Sequence, residues 1–261
     1  MRRLDAVEHY LDADYLDPGE KALYEAIALE ARGKPILDIG VGGGRTVRAL
    51  TAISSDYTAI DYSPEMLGAF GRRYPSVKRL LLDARDMSAL PDGSMFLAVF
   101  SCAGIDMVDA EDRIRILREI RRVLAPGGAF IFSTHNLDCR LREGDPSYWD
   151  IMLPAAPSRN PLKWVWRRLR ALPQARLRLR NYLALRPLAR RGTDWAILNS
   201  NYHHYLTLMH YITLSSQRAQ LVDAGFEANA IAYTSEGERL SESAPDAFML
   251  HFMARVPKPH P

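Results

Sequence analysis

Short apolar runs alternate with amphipathic helical segments along the first half of the chain. Strands are predicted at residues 35–38, 57–60, 77–82, 95–100 and 129–133, and helical patterns separate most of them. The clearest helix covers residues 110–124, where Ile114, Leu117, Ile120 and Val123 recur on one face. Such alternation predicts a mostly parallel sheet with helices on both of its faces.

The pattern stops after residue 133 and resumes near the carboxyl terminus. A helix is predicted at 215–224 and strands at 230–234 and 248–256, which makes seven strands in all. We therefore predict a doubly wound α/β fold with an α-helical insertion. The expected organisation is an N-terminal helical lid (1–33), an α/β core (34–137 and 208–261) and a cap that carries the acceptor site (138–207).

Charge is distributed unevenly between this core and the insertion. The whole chain has a formal net charge of +3, but residues 160–192 contain ten Lys or Arg residues and no Asp or Glu. Removing that segment leaves the rest of the chain at −7. Helical and extended conformations are both compatible with residues 176–180, where Arg and Leu alternate.

Composition excludes a secreted mini-protein, a membrane-spanning protein and a wholly basic nucleic-acid-binding protein. With 261 residues, the chain is long enough to bury a substantial core, and its two cysteines cannot form a disulfide framework. Acidic residues follow the first basic ones, so no leader peptide is expected, and no apolar stretch is long enough to span a bilayer. We expect a cytoplasmic protein.

A glycine cluster follows the first strand, where a parallel sheet binds its ligands. The sequence from Asp38 reads D-I-G-V-G-G-G, with Gly40, Gly42 and Gly44 at alternate positions. A dinucleotide fingerprint requires a third glycine at position 45, where Arg45 stands, and no phosphate-binding P-loop sequence is present. The loop therefore matches neither of these two phosphate-binding signatures.

This loop, together with Asp61 after the second strand and Asp83 after the third, resembles the class I S-adenosylmethionine (SAM) methyltransferases. Residues 61–67, 83–91, 118–128 and 215–226 are similar to further motifs of that family. The resemblance implies SAM as cofactor and S-adenosylhomocysteine as product. It implies a cofactor site at Asp38, Gly40, Gly42, Gly44, Asp61, Tyr62, Met66, Asp83, Ala84 and Ser101.

The chemistry of SAM agrees with these residue types. A carboxylate at Asp61 can accept hydrogen bonds from a ribose diol, and Asp83 can accept one from the adenine amino group. Tyr62 and Met66 can pack against the ring or the ribose. SAM carries a positive charge and no phosphate, so an acidic core suits it.

The residues that would act on a methyl acceptor are less clearly marked. Residues 101–104 lack the Asn/Asp-Pro-Pro-aromatic signature of enzymes that methylate planar nitrogens, and Cys102 is predicted to be a small buried residue. A hydroxyl acceptor benefits from a general base, and His135, with His203 or His204, is our candidate. Buried structural histidines are the alternative. No metal site is expected.

These observations predict methyl transfer to a hydroxyl or amine of a small molecule, with oxygen slightly favoured. Two alternatives stay open: an enzyme that cleaves or cyclises SAM without an acceptor, and a protein that binds or methylates RNA. The basic segment has four interpretations: a solvated helix face, a site for an acidic small molecule, an anionic membrane surface, and an RNA surface. The sequence does not predict the oligomeric state.

Overall fold

The structure, a computed structural model, describes residues 15–143, 145–153, 160–201, 204–242 and 246–258. Its strands are β1 (Ile36–Ile39), β2 (Tyr57–Asp61), β3 (Lys78–Leu81), β4 (Met95–Phe100), β5 (Leu124–Asn136), β6 (Arg190–Arg191), β7 (Trp195–Ser200), β8 (Thr207–Ile212), β9 (Ile231–Thr234), β10 (Arg239–Leu240) and β11 (Met249–Arg255). Its helices are α1 (Pro18–Ala31), α2 (Val47–Ile53), α3 (Pro64–Arg73), α4 (Ala110–Val123), α5 (Leu137–Glu143), α6 (Tyr148–Met152), α7 (Pro161–Ala171), α8 (Ala175–Leu185) and α9 (Leu214–Asp223).

A single twisted sheet forms the centre of the fold. Its main path runs β10–β9–β11–β5–β4–β1–β2–β3, in which β1 to β5 are parallel and β11 is antiparallel to both of its neighbours. Helices cover both faces of the sheet: α1, α2 and α3 pack on one, and α4 and α9 pack on the other. The predicted α/β class with a mostly parallel sheet is confirmed.

All seven predicted strands are present, as β1 to β5, β9 and β11. The predicted number was nevertheless too low, because the described residues also form β6, β7, β8 and β10. Three of these extra strands lie in or at the end of the insertion. They join the main sheet where β8 pairs in parallel with His135 and Asn136, the last two residues of β5.

The insertion was predicted to be α-helical. In the structure it also contains strands and ends in an antiparallel ribbon. Strands β7 and β8 pair over their full lengths and bury Leu198, Met209 and Tyr211 against Leu137. The expected boundary between residues 207 and 208 falls at the start of β8. Residues 176–180, whose conformation was left open, belong to helix α8. The insertion leaves and rejoins the sheet at the carboxyl end of β5, the edge where ligands are expected.

Helix α1 is a covering helix of the sheet. Leu23 and Ile27 are fully buried in the same core as Ile36, on the first strand. The predicted N-terminal lid is thus a packed layer over residues 18–31, and its first fourteen residues lie outside the described part of the chain. In those parts that the structure describes, no helix is both long and apolar enough to cross a membrane.

Candidate functional site

The glycine loop turns sharply between β1 and α2. Gly40 and Gly44 have φ values of +63° and +86°, which favour glycine. A Cβ at Gly44 would lie 2.4 Å from the ring of Tyr74, and one at Gly40 would lie 2.9 Å from the ring of Phe100. Two of the glycines are therefore required by close packing behind the loop. At Gly42 (φ +53°) a Cβ would meet Met66 Cε at an ordinary 3.5 Å.

Asp61 links this loop to the end of the second strand. Its Oδ2 accepts a hydrogen bond from the Gly42 N–H (3.0 Å), and its Oδ1 accepts one from the Ser63 N–H (2.9 Å). Burial raises the pKa of this carboxyl group, while the backbone donors oppose that shift. A carboxylate has about four lone-pair positions, so two bonds leave capacity for further donors such as a ribose diol.

The surroundings of Asp61 fit a nucleoside. The Tyr62 side chain is 71% exposed although it adjoins a buried carboxylate, and Leu81, at the end of β3, is also exposed. Met66 lies beside Gly42 in the first turn of α3, which Ser63 caps by accepting from the Met66 N–H. An aromatic ring, two apolar side chains and a carboxylate thus surround the end of β2, and these residues fit SAM.

Asp83 and Ala84 follow β3 at the same edge. Both are partly exposed, and both carboxylate oxygens of Asp83 accept from the Arg85 guanidinium, the shortest distance being 2.7 Å. This pairing lowers the pKa of Asp83. Arg85 also pairs with Asp112 of α4 at 2.7 Å. A partly exposed ion pair thus occupies the position where an adenine acceptor was predicted.

Asp38 lies behind the loop, not on its open side. Its buried Oδ2 accepts hydrogen bonds from the hydroxyl groups of Thr46 and Tyr57. Burial raises the pKa of Asp38 to about 6, although both hydroxyl groups counteract the shift. In this structure the carboxyl group ties the start of α2 to β2, and so holds the glycine loop in place.

Arg45 connects the loop to two other elements. Its guanidinium makes two bonds to the Glu20 carboxylate of α1 (2.8 and 2.9 Å), and it donates to Ser101 Oγ after β4 (2.9 Å). Tyr24 also donates to Glu20, at 2.6 Å. The predicted cofactor residue Ser101 is thus bonded to the side chain that replaces the third glycine of a dinucleotide fingerprint. The sequence did not reveal the role of Glu20, because no local pattern marks its partner 25 residues away.

The turn after β4 corrects one expectation. Cys102 is exposed, not buried, and it and Ala103 adopt left-handed backbone conformations with φ near +50° (53° and 52°). The Ala103 N–H donates to Ser133 Oγ of β5 at 2.8 Å, which holds the turn against the neighbouring strand. The residue is thus exposed, while its thiol lies next to Arg45, and burial raises the pKa of that thiol.

A buried ionic network lies where β5 ends. Asp106 accepts from Arg113 (2.5 Å), from the Thr134 hydroxyl (2.7 Å) and from the backbone N–H of His135 (2.7 Å). Its carboxylate also lies 2.8 Å from His135 Nδ1. These contacts hold the pKa of Asp106 below its usual range despite complete burial. Gln217 of α9 accepts a further bond from Arg113 at 2.5 Å.

Two of the histidines predicted to act on the acceptor, His135 and His204, are not brought together. The His135 ring is buried between Tyr211 and Phe248. His204 precedes β8, whereas His135 pairs with Tyr211 near the other end of that strand. His203 lies outside the described residues.

A further histidine, His210 on β8, adjoins the same network. It is completely buried and stacks on the Trp195 indole, and burial together with the nearby Arg113 lowers its pKa to about 3. The sequence does carry a signal for this network. Arg113 stands at a core-facing position of α4, three and four residues before Ile116 and Leu117, and a charge there requires a buried partner. Within the described ranges, no group of three His, Cys, Asp or Glu side chains is arranged to hold a metal ion.

Comparisons with known proteins agree with the geometry. Residues 37–132, from β1 to the middle of β5, match a family model described as a methyltransferase domain. The chain is 37% identical over 102 residues to malonyl-[acyl-carrier protein] O-methyltransferase of Halorhodospira halophila, covering 38% of this chain and 34% of that protein. It is 31% identical over 118 residues to ubiquinone biosynthesis O-methyltransferase of Xanthomonas oryzae, covering 43% and 48%. The matches thus span a third to a half of these relatives.

A solved structure extends the similarity to most of the chain. A glycopeptide N-methyltransferase complexed with S-adenosyl-L-homocysteine superposes with a TM-score of 0.56 at 17% identity, over 93% of this chain and 91% of that one. At that identity the likeness establishes the fold. The domain match covers the glycine loop and Asp61, on which the sequence resemblance depended. Residues 37–132 of the chain thus match a methyltransferase domain, and the fold is one that SAM-dependent methyltransferases share.

Proposed function

We propose that the protein transfers the methyl group of SAM to an oxygen atom of a small-molecule acceptor. The observation that carries the proposal is the cradle formed by Gly42 and Asp61, whose 3.0 Å hydrogen bond joins the glycine loop to the end of β2. Asp61 would hold the ribose hydroxyl groups, and Tyr62 and Met66 would contact the nucleoside. Bound SAM supplies an electrophilic methyl group on a positively charged sulfur.

The choice of an oxygen acceptor rests on two supports. Both relatives named above are O-methyltransferases by their printed names. In addition, Asp106 orients His135 through Nδ1, which makes Nε2 the basic nitrogen of the ring. A base in that position can accept a proton from an acceptor hydroxyl group. Because Tyr211 and Phe248 contact the ring, acceptor binding must displace one of them.

Most of the rate enhancement would come from positioning. Transfer from a sulfonium is an in-line displacement, and holding both reactants in line removes much of the entropic barrier. The glycine loop and the Asp61 carboxylate fix one reactant at the edge of the sheet. The insertion, which leaves and rejoins the sheet at that edge, would enclose the other.

Calorimetry with SAM and with S-adenosylhomocysteine tests the cofactor site. We expect Asp61→Ala to weaken binding about thirtyfold, because hydrogen bonds to a charged group contribute about 2 kcal/mol. Asp56→Ala is the matched control, since Asp56 is an exposed carboxylate just before the same strand. Equal binding by the intact protein and Asp61→Ala, or no binding by the intact protein, would contradict the proposal.

Radiolabelled methyl transfer into a small-molecule extract tests the acceptor chemistry. We expect label in an ether or ester, with a rate about a hundredfold lower in His135→Gln and unchanged in His204→Gln. A lower rate that no longer depends on pH identifies His135 as the base, whereas a parallel pH profile makes its role structural. Label on nitrogen overturns O-methylation, and release of methylthioadenosine without an acceptor favours SAM cleavage.

A further inference from the structure

Helix α7 directs its apolar stripe away from the protein. Leu162, Val165, Trp166 and Leu169 recur at helical spacing on one face, and their side chains are between 45% and 79% exposed. Leu172, directly after the helix, extends the same stripe and is also exposed. Amphipathic helices of globular proteins normally turn this stripe towards the core.

Contacts on the opposite face of α7 fix this orientation. Ala171 is buried, and Arg168 pairs with Asp150 of α6 at 3.0 Å while its guanidinium stacks 4.3 Å from the Trp164 ring. Arg178 of α8 donates to the Ala171 carbonyl oxygen at 3.0 Å, next to the turn between the two helices. The polar face of α7 is therefore attached to the insertion, and the apolar face points outward.

Positive charge flanks the exposed stripe. Lys163 and Arg170 are exposed on one side of it, and the Arg170 guanidinium lies 4.7 Å from the Trp166 ring centre. The surrounding segment 160–192 contains ten basic residues and no acidic one. An exposed aromatic and aliphatic stripe beside basic side chains is the combination that binds helices flat on a bilayer.

We propose that α7 docks on the surface of an anionic phospholipid bilayer. Leu162, Trp166 and Leu169 would enter the boundary between headgroups and acyl chains, and Lys163 and Arg170 would contact the lipid phosphates. Aliphatic side chains on the outermost face contribute nothing to contacts with RNA phosphates, which disfavours RNA. A second copy of the chain would bring two strongly basic segments together, which disfavours self-association.

Co-sedimentation with vesicles tests this surface. We expect binding to phosphatidylcholine vesicles that contain about a quarter phosphatidylglycerol, little binding to phosphatidylcholine alone, and a blue shift of tryptophan fluorescence on binding. The double variant Lys163→Gln/Arg170→Gln should weaken partitioning about 25-fold, because each basic side chain near such a surface contributes about fivefold. The double variant Leu162→Ser/Leu169→Ser should weaken it at least about tenfold.

Matched controls remove the same kinds of side chain elsewhere. Leu29→Ser replaces an exposed leucine of α1, and Arg118→Gln replaces an exposed arginine of α4. Both should bind vesicles as the unaltered protein does. Equal weakening by the controls and the α7 variants would overturn the assignment.

The same surface of α7 could instead bind RNA or a second copy of the chain, and each of these would give a different result. Binding of a single-stranded RNA oligonucleotide without binding to either vesicle would overturn the proposal. So would concentration-dependent dimerisation that Leu162→Ser/Leu169→Ser abolishes, again without vesicle binding. Vesicle binding does not require SAM, so it is independent of the Asp61→Ala experiment and of the outcome for methyl transfer.

Discussion

Helices α4 and α7 have similar sequence patterns and opposite environments. Both carry an apolar stripe beside several arginines, and both have a side-chain cap, Asp109 for α4 and Asn160 for α7. In α4 the stripe is buried, and even Arg113 is fully inaccessible. In α7 the stripe is exposed, and the one buried residue of that helix, Ala171, lies on its opposite face.

The difference comes from the connections of the two helices. Helix α4 joins β4 to β5, two adjacent parallel strands, so the crossover must pack on the sheet. Helix α7 lies within an insertion between β5 and β8 and is not required to cover any strand. An amphipathic pattern therefore predicts that a helix forms, while the connection decides whether its apolar face meets the protein.

The largest difference in stability between the two helices is expected when one arginine on each of them is replaced. Arg113→Ala leaves the buried Asp106 carboxylate without its charged partner, so we expect the free energy of unfolding to fall by about 3–5 kcal/mol. Arg170→Ala removes an exposed side chain and should change it by no more than about 0.5 kcal/mol. Urea unfolding measures both variants, and equal losses would show that α7 is as integrated into the fold as α4.

A second test replaces one leucine on each helix. Leu117→Ala creates a cavity in the core and should lower the free energy of unfolding by about 3 kcal/mol. Leu169→Ala should lower it by no more than about 0.5 kcal/mol, because that side chain is largely exposed. A loss for Leu169→Ala close to that for Leu117→Ala would mean that the stripe is covered in solution.

A smaller effect is expected from pH, through the histidine that faces Arg113. The pKa of His210 is about 3 in the folded protein, against about 6.5 in an unfolded chain. Below pH 6.5 the unfolded chain therefore binds a proton that the folded protein excludes, and stability is lost as the pH falls. Between pH 6.5 and pH 5 this loss amounts to about 2 kcal/mol.

Comparing the unaltered protein with His210→Phe isolates that contribution. Asp38 has the opposite effect, since its folded pKa of about 6 makes stability fall as the pH rises from 3.8 to 6. Both proteins retain Asp38, so its contribution cancels in the difference. Urea unfolding at pH 7.5 and pH 5, chosen to bracket the transition, should show a smaller pH-dependent loss for His210→Phe. Parallel losses would place the His210 pKa near its ordinary value.

The sequence predicted that the glycine loop and Asp61 lie at one edge of the sheet, because each directly follows a strand. Gly40, Gly42 and Gly44 define a loop through local backbone geometry, and Asp61 follows its strand directly, so their shared edge follows from parallel pairing. Glu20 and Asp106 are different, since their partners Arg45 and His135 lie 25 and 29 residues away. Only the folded chain brings such pairs together.

The insertion also shows that contacts between distant segments cannot be predicted from a local pattern. Its charge is plain from composition, and the sequence predicted that the insertion contains helices. Strands β7 and β8 were not predicted, because the preceding basic and helical segment gave no sign that the chain would return as a ribbon beside β5.

The sequence by itself determined the alternating α/β order, the glycine loop and the segregation of charge, because these depend on neighbouring residues and on periodicity. The tertiary structure alone decided that Asp38 faces inward, that Arg113 is buried, and that the apolar face of α7 is exposed. The physical reason is that burial depends on which distant segments meet. The connections between the strands decide which segments meet, and a local sequence pattern does not reveal those connections.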